Sequence, residues 1–206
     1  MRICPFLLNT IVISNKMEVL NHFVVHIPKA LNDTITIGGK EIYLENKYNP
    51  FEHRVMSAEV VFVPKRYNTG VQPGDTLYFH HHVVLTPQFF DETQQWYRVN
   101  YDPFGGNGCQ AFAYKDKEGQ IRTVEDWVIL DPIYEEGLKS DIIEIVTTEE
   151  VKNRKGIIKY DSRILEEYGL KKGDVVYFSK DADYEMEIEG DKVWRMLHDY
   201  LIAVER

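Results

Sequence analysis

The residues best suited to chemistry in this sequence form one run, His80-His81-His82. Imidazole nitrogens are common ligands of zinc and related metals. The run lies in a stretch typical of a β-strand, where neighbouring side chains point to opposite faces, so we expect only His80 and His82 to converge. No further ligand is apparent in the sequence around them. The sequence therefore predicts no metal site.

Other chemically suggestive motifs are incomplete. The glycine-rich stretch 105–108 is followed by neither a helix nor a Lys-Ser/Thr pair, which argues against phosphate binding. Alternating acids within 181–189 are typical of a solvated strand face. The two cysteines are too few for a disulfide framework and lack zinc-type spacing. We predict that the protein is not an enzyme and binds no cofactor; a hydrolase or deaminase using His80, His82 and Cys109 is the least favoured alternative.

Composition narrows the class of partner. The chain has 206 residues, 44% of them hydrophobic, and a formal net charge of -9. This is enough apolar content to bury a core, and the acidic balance opposes binding to nucleic-acid phosphates. Residues 1–16 contain an apolar run that is too short to cross a bilayer and lacks a cleavage pattern. We predict no membrane contact and a cytoplasmic location. We interpret residues 1–16 as an extra extension or an added strand before a native start at Met17, and a secretion signal is the alternative interpretation of this segment.

The elements that must position these residues are mostly strands. Short β-rich runs separated by Gly, Pro, Asn and Asp turns recur along the chain, as at 55–63, 76–85 and 110–114. They predict an all-β protein, a barrel or a sandwich. Only residues 161–168 look helical, with Asp161 or Ser162 as the cap and a glycine at the end.

The sequence contains an internal duplication. The segment Gly-Asp-x-x-Tyr-Phe occurs at 74–79 and again at 173–178, and an apolar run led by an acid follows each, at 126–130 and 199–203. Two ordered matches favour two copies of one small domain. The second match begins 51 positions after the first aspartate in one copy and 25 in the other. We interpret the extra segment of the first copy, about 84–120 and rich in aromatic residues, as an inserted β excursion.

The order of these elements resembles the GroES-like co-chaperonin family. Residues 154–158 are similar to the family's strand after its mobile loop, 170–178 to its Val-Gly-Asp-x-Val strand, and 199–205 to its closing strand. Earlier in the chain, 20–25 and 55–63 stand where the family has its opening and returning strands. The glycine that the family has before the returning strand is missing there.

The resemblance implies an all-β fold of two GroES-like small β-barrel domains in tandem, at 17–132 and 138–206. The first domain would carry a mobile loop at about 31–54 and the β insertion at about 84–120. The second domain leaves only about 147–154 for its own loop, without an apolar tripeptide, and is not expected to bind a partner in that way.

In this family, a glycine and a hydrophobic tripeptide of the mobile loop dock on a chaperonin ring. The matching residues are Gly38, Gly39 and the tripeptide Ile42, Tyr43 and Leu44. The implied function is a co-chaperonin that caps a chaperonin ring and assists ATP-dependent protein folding by that partner. The implied partners are a GroEL-like chaperonin ring, further copies of this chain in a ring-shaped homo-oligomer, and an unfolded substrate in the capped chamber. Such an enlarged co-chaperonin would suit a phage and act in the host cytoplasm.

Two alternatives stay open. Residues 34–37 and 41–44 could form an ordinary hairpin through a glycine turn, and such a hairpin could also be the bound form of the loop. The protein could instead be a non-chaperone β-barrel binding or structural module that acts through its aromatic insertion.

Overall fold

The structure is a computed structural model, and it describes residues 17–32, 34–37, 40–43, 54–85, 89–91, 94–104, 108–134, 151–180, 182 and 184–206. The strands are β1 (His22–His26), β2 (Thr34–Ile37), β3 (Lys40–Tyr43), β4 (Ser57–Phe62), β5 (Thr76–Phe79), β6 (Phe89–Asp91), β7 (Trp96–Asn100), β8 (Ala111–Lys115), β9 (Ile121–Thr123), β10 (Trp127–Tyr134), β11 (Val151–Ile158), β12 (Val175–Phe178), β13 (Tyr184–Ile188), β14 (Asp191–Leu197) and β15 (Leu201–Glu205). Within these ranges there is one α-helix, α1 (Arg163–Glu167), and no helix has the length and apolar character to cross a membrane.

The strands form two large antiparallel sheets and one separate hairpin. Sheet 1 has seven strands in the order β6-β7-β1-β4-β5-β8-β9, and sheet 2 has six in the order β13-β14-β10-β11-β12-β15. The hairpin consists of β2 and β3. The all-β prediction is therefore confirmed. The helical prediction is also confirmed: Ser162 caps α1 by accepting a hydrogen bond from the Leu165 amide at 3.3 Å, and Gly169 follows with a φ of +67°.

The two sheets repeat one topology. Apart from the edge strand β9, each strand of sheet 1 has a counterpart in sheet 2, in chain order and at the same place in the sheet. The counterparts are β1 and β10, β4 and β11, β5 and β12, β6 and β13, β7 and β14, and β8 and β15. We call residues 22–115 repeat 1 and residues 127–205 repeat 2. The duplication seen in the sequence is thus a property of the whole fold.

The Gly-Asp motif makes the same turn in both repeats. Gly74 and Gly173 have φ values of 89° and 93°, in the left-handed region that glycine adopts without strain. The Asp75 carboxylate accepts a hydrogen bond from the backbone amide three residues before it at 2.8 Å, and Asp174 does the same at 3.0 Å. Each aspartate closes its turn and so determines where β5 or β12 begins.

The pairing register is repeated as well. β5 and β8 share a bulge between Tyr78 and Phe79, and β12 and β15 share one between Tyr177 and Phe178. These residues occupy the same positions of the Gly-Asp-x-x-Tyr-Phe segment. A bulge is a specific feature of a strand pair, so its recurrence aligns the two repeats residue by residue.

This alignment differs from the sequence-based one at its second match. The sequence equates 126–130 with 199–203, but Trp127–Tyr134 is β10, the first strand of repeat 2, and it pairs with β11 and β14. The counterpart of β15 is β8. The sheets therefore divide before β10, whereas the sequence divided the domains at 132–138. Both segments are apolar runs led by an acid, and only the backbone pairing distinguishes them.

The predicted insertion at 84–120 is mostly regular structure of repeat 1. It contains the β6-β7 hairpin, whose counterpart is β13-β14, followed by β8. From Asp75 to Ala111, at the start of β8, is 36 positions, and from Asp174 to Leu201, at the start of β15, is 27. Repeat 1 is therefore longer by nine residues in this region instead of the 26 that the misaligned match implied.

Several strands are buried on both faces, and this joins the repeats. In β5, Leu77 and Phe79 pack in the core of repeat 1, whereas Tyr78 between them packs against repeat 2. In β10, Val128 and Leu130 pack in the core of repeat 2. Two-sided burial explains why these strands read as continuous apolar runs. The shared core between the repeats consists of Tyr78, Phe112, Ala113, Trp127, Ile129, Met186, Ile188 and Val193.

Polar contacts also join the repeats. Glu189, in the turn between β13 and β14, accepts a hydrogen bond from the Tyr78 hydroxyl and pairs with Lys115 Nζ at 2.8 Å. Burial and this hydrogen bond raise the pKa of Tyr78, and the Lys115 and Tyr78 contacts lower the pKa of Glu189. Among the alternating acids of 181–189, Glu185 and Glu187 are exposed, as predicted for a solvated strand face. Glu189, the last of them, takes part in the contact between repeats.

The close packing of β10 on β11 gives a test of the fold. A Cβ at Gly156 would lie 3.0 Å from Cβ and Cδ1 of Leu130 and 3.2 Å from the Asp131 carbonyl oxygen. We expect Gly156→Ala to lower the free energy of unfolding by about 1 to 3 kcal/mol, measured by urea denaturation, because the added carbon overpacks this site. In repeat 1 the equivalent position is Ala58, and the equivalent of Leu130 is the smaller Val25.

Ser57→Ala is a matched control, since this residue is exposed in β4, the counterpart of β11. Its effect should stay within about 0.5 kcal/mol. A Gly156→Ala variant as stable as this control would contradict the packing described for β10 and β11.

Candidate functional site

The predicted partner-binding segment connects two neighbouring strands of sheet 1. β1 and β4 pair with each other, and residues 27–56 join them. Leu31 and Arg54 form an isolated antiparallel bridge, and the Val55 amide donates a hydrogen bond to the Ala30 carbonyl at 3.2 Å. These contacts hold the two ends of the connection together, so the residues between them start from a defined place on the sheet.

Within this connection, β2 and β3 form a hairpin that pairs with neither large sheet. Thr34 pairs with Tyr43 at its open end. The hairpin that the sequence suggested is therefore confirmed, although its second strand begins at Lys40 and not at Glu41.

Two apolar side chains of this hairpin are exposed. Ile42 is 46% exposed and Tyr43 is 83% exposed, and both lie at the end of β3. Single exposed apolar residues are ordinary, but two at the end of a separate hairpin, one on each of its faces, make that end a candidate contact element. The other predicted contact residues, Gly38, Gly39 and Leu44, lie outside the described residues.

The equivalent connection in repeat 2 differs from the sequence expectation. β10 ends at Tyr134 and β11 begins at Val151, so residues 135–150 join them. The sequence assigned only about 147–154 to this loop, yet its last four residues belong to β11. Residues 135–150 lie outside the described part of the chain.

The three histidines lie in a turn and not in a strand. β5 ends at Phe79, and a 3-10 turn covers His81–Val84 with His80 as its N-cap. The His80 Nδ1 accepts a hydrogen bond from the His82 amide at 3.1 Å. One ligand atom from each histidine lies within 4.8 Å of the others. The expectation that only two of them could converge is wrong, because the 3-10 turn removes the strand alternation on which it rested. We call these residues the histidine cluster: His80, His81 and His82.

The histidine cluster packs against repeat 2. His81 is 7% exposed, and its Nδ1 contacts the Tyr184 hydroxyl. The ring of His80 lies 5.5 Å from that of Tyr184. The Arg195 guanidinium carbon lies 4.0 Å from the Tyr184 ring centroid and 3.9 Å from that of Phe112. Imidazoles, a guanidinium and aromatic rings thus meet at the junction of the two repeats.

Burial keeps the inner histidines uncharged. Burial, followed by the charges of His81 and Arg195, lowers the pKa of His80 to about 3. Burial, together with His82 and Arg54, lowers the pKa of His81 to about 4. Burial also lowers the pKa of Arg195, but only to about 10, so its guanidinium stays charged at neutral pH. A buried cation therefore lies beside two neutral imidazoles.

The aromatic residues of segment 84–120 lie mainly in the cores. Trp96, Tyr97 and Tyr101 are all buried. Phe104 differs, because it is 89% exposed in the connection between β7 and β8. This segment therefore builds repeat 1 and offers one exposed aromatic side chain among its described residues.

No family model and no curated protein matches this chain.

The histidine pKa values predict how stability depends on pH. His80 and His81 have pKa values of about 3 and about 4 in the folded state, against 6.5 in an unfolded chain. As the pH falls below 6.5, the unfolded chain takes up protons that the folded chain does not, so the free energy of unfolding falls. Above that pH the two groups add no pH dependence.

Urea denaturation at about pH 7.5 and about pH 5 measures this loss, and a variant isolates its source. The double variant His80→Gln, His81→Gln should lose less stability between the two pH values than the original chain. An equal loss in both proteins would show that carboxylates or other histidines carry the dependence.

Proposed function

We propose that this protein is a ring-forming, GroES-like co-chaperonin that caps a chaperonin ring in the cytoplasm and assists protein folding driven by the partner's ATP hydrolysis. The observation that carries the proposal is the β2–β3 hairpin, which leaves sheet 1 between β1 and β4 and exposes Ile42 and Tyr43. In this proposal the hairpin binds an apolar groove of the chaperonin, and the protein performs no chemistry of its own.

The order of elements supports the proposal. Each repeat has a first strand, a connection, a returning strand, the Gly-Asp strand, a further hairpin and a closing strand. The resemblance to the GroES-like family rests on this order, and the order occurs here twice. The proposed fold is therefore two GroES-like barrels in tandem, at 22–115 and 127–205.

Energetics explain why such a protein would act as a ring. Burying Ile42 and Tyr43 contributes about 1.5 to 3 kcal/mol each. Ordering the connection around them costs about 1 kcal/mol or more for each residue fixed. One hairpin therefore binds weakly, whereas several hairpins on one ring bind together and still release readily.

The contact between the repeats supports assembly of several chains. In repeat 1, Tyr78 and Phe112 are buried against repeat 2. Their counterparts in repeat 2 are the half-buried Tyr177 and Ile202, which is 68% exposed. Repeat 2 thus leaves uncovered the face that repeat 1 uses to bind its neighbour. We propose that repeat 1 of the next chain covers it, in a head-to-tail arrangement that can close into a ring.

Ile202→Glu tests the ring, because a charge on this face opposes burial. We expect the original chain to form an oligomer in light scattering coupled to size-exclusion chromatography, and the variant to elute as a monomer. Leu85→Glu, at an exposed apolar position of repeat 1, is the control and should leave the oligomer intact. A monomeric original chain at micromolar concentration would remove the ring from the proposal.

The double variant Ile42→Ser, Tyr43→Ser tests the hairpin. The purified protein is mixed with a host chaperonin and nucleotide, and capped complexes are counted by negative-stain electron microscopy. We expect the variant to lose capping, since each hairpin loses at least about tenfold in affinity and the ring multiplies that loss. Both side chains are exposed, so the fold and its unfolding free energy should not change.

Phe104→Ser separates this function from the alternative of a non-chaperone binding module. Phe104 favours the alternative, because it is the exposed aromatic side chain among the described residues of segment 84–120. Under our proposal this variant caps normally. Capping that survives the hairpin substitutions but is lost with Phe104→Ser would move the contact surface to the β7–β8 connection, and no capping by the original chain would contradict the co-chaperonin assignment.

A further inference from the structure

The histidine cluster has a geometry that capping does not use. Three consecutive residues would alternate in a strand, but the 3-10 turn after β5 places one ligand atom of each within 4.8 Å of the others. We propose that His80, His81 and His82 form a binding site for one divalent transition-metal ion, with Zn²⁺ as the reference ion. The site belongs to repeat 1, since its counterpart in repeat 2 begins with Ser179, which follows Phe178 as His80 follows Phe79.

The donor atoms select the class of metal. Three imidazole nitrogens suit Zn²⁺, Co²⁺, Ni²⁺ or Cu²⁺, whereas Mg²⁺ and Ca²⁺ require oxygen ligands. With Zn–N bonds of about 2.1 Å, the ligand nitrogens of a tetrahedral site lie about 3.4 Å apart. The present separations of up to 4.8 Å would have to shorten on binding, and His82 is the exposed member of the cluster, with space for its ring to move. Three protein ligands leave the fourth position open to water or to a ligand.

Contacts to the second ring nitrogens bear on how the ion would be held. The Tyr184 hydroxyl contacts His81 Nδ1. When that nitrogen donates to the hydroxyl oxygen, Nε2 presents its lone pair to the ion, as in many zinc sites whose histidines are oriented by a hydrogen bond. His80 Nδ1 accepts from the His82 amide, so His80 binds the ion only by giving up this bond: Nδ1 takes either the ion itself or the proton that leaves Nε2. Tyr184 belongs to repeat 2, so the ion would also strengthen the contact between repeats.

Neighbouring charges limit the affinity. Arg195 and Arg54 act on the cluster, and both oppose a divalent cation. The Arg195 guanidinium is held between ring faces, 3.9 Å from the Phe112 centroid and 4.6 Å from that of Trp127. We therefore expect weaker binding than in a closed structural zinc site, and rapid exchange of the ion.

The test uses full-length protein without a histidine tag, stripped of metal with EDTA. Zn²⁺ is titrated by calorimetry, and Co²⁺ by its visible absorption, which reports nitrogen ligation directly. We expect one ion per chain and, for His82→Ala, at least about tenfold weaker binding. His26→Ala, in β1 and away from the cluster, is the matched control and should bind as the original chain does.

Tyr184→Phe removes the hydroxyl that holds His81 and should weaken binding by about tenfold without changing the stoichiometry. His82→Gln serves in place of His82→Ala if the alanine variant fails to fold by circular dichroism. No Zn²⁺ or Co²⁺ binding by the original chain would overturn the proposal. Binding that the His82 variants leave unchanged, or that His26→Ala weakens equally, would overturn it as well.

Discussion

The shared core between the two repeats fixes how the two sheets are arranged. Tyr78 and Phe112 from sheet 1 pack against Trp127 and Ile129 from sheet 2, so central strands of both sheets are covered on both faces. If such a strand shifted its register by one residue, the side chains that fill one core would turn toward the other core, where they do not fit. The contact therefore holds the relative position of the sheets and places β13 and β14 against repeat 1.

This contact also creates the chemical environment of the junction. Arg195 is buried there among aromatic rings, and its charge is accommodated by cation–π stacking. The same burial lowers the pKa values of His80 and His81. A set of neutral imidazoles beside a buried guanidinium is a consequence of packing two sheets together, and neither repeat would provide it alone.

The repeats share a scaffold and differ in what they expose. Their Gly-Asp turns and strand bulges are equivalent, which indicates that these features maintain the fold. The proposed functional surfaces lie where the repeats diverge: the hairpin with Ile42 and Tyr43 belongs to repeat 1, and the uncovered face around Ile202 belongs to repeat 2. Under the proposed function, duplication followed by unequal change would give one chain a surface for a chaperonin and a different surface for its neighbour in a ring.

The predictions made from the sequence are correct where a feature depends on local physics. The Gly-Asp turn, the Ser162 cap and the β2–β3 hairpin could be predicted, because a positive φ, a side-chain cap and a tight turn need only neighbouring residues. Long-range contacts establish the partner of β10, the burial of the aromatic residues in segment 84–120, and the convergence of the histidine cluster. Strand pairing and two-sided burial depend on residues that are distant in the chain. An apolar run therefore predicts a buried strand but does not indicate which sheet the strand joins.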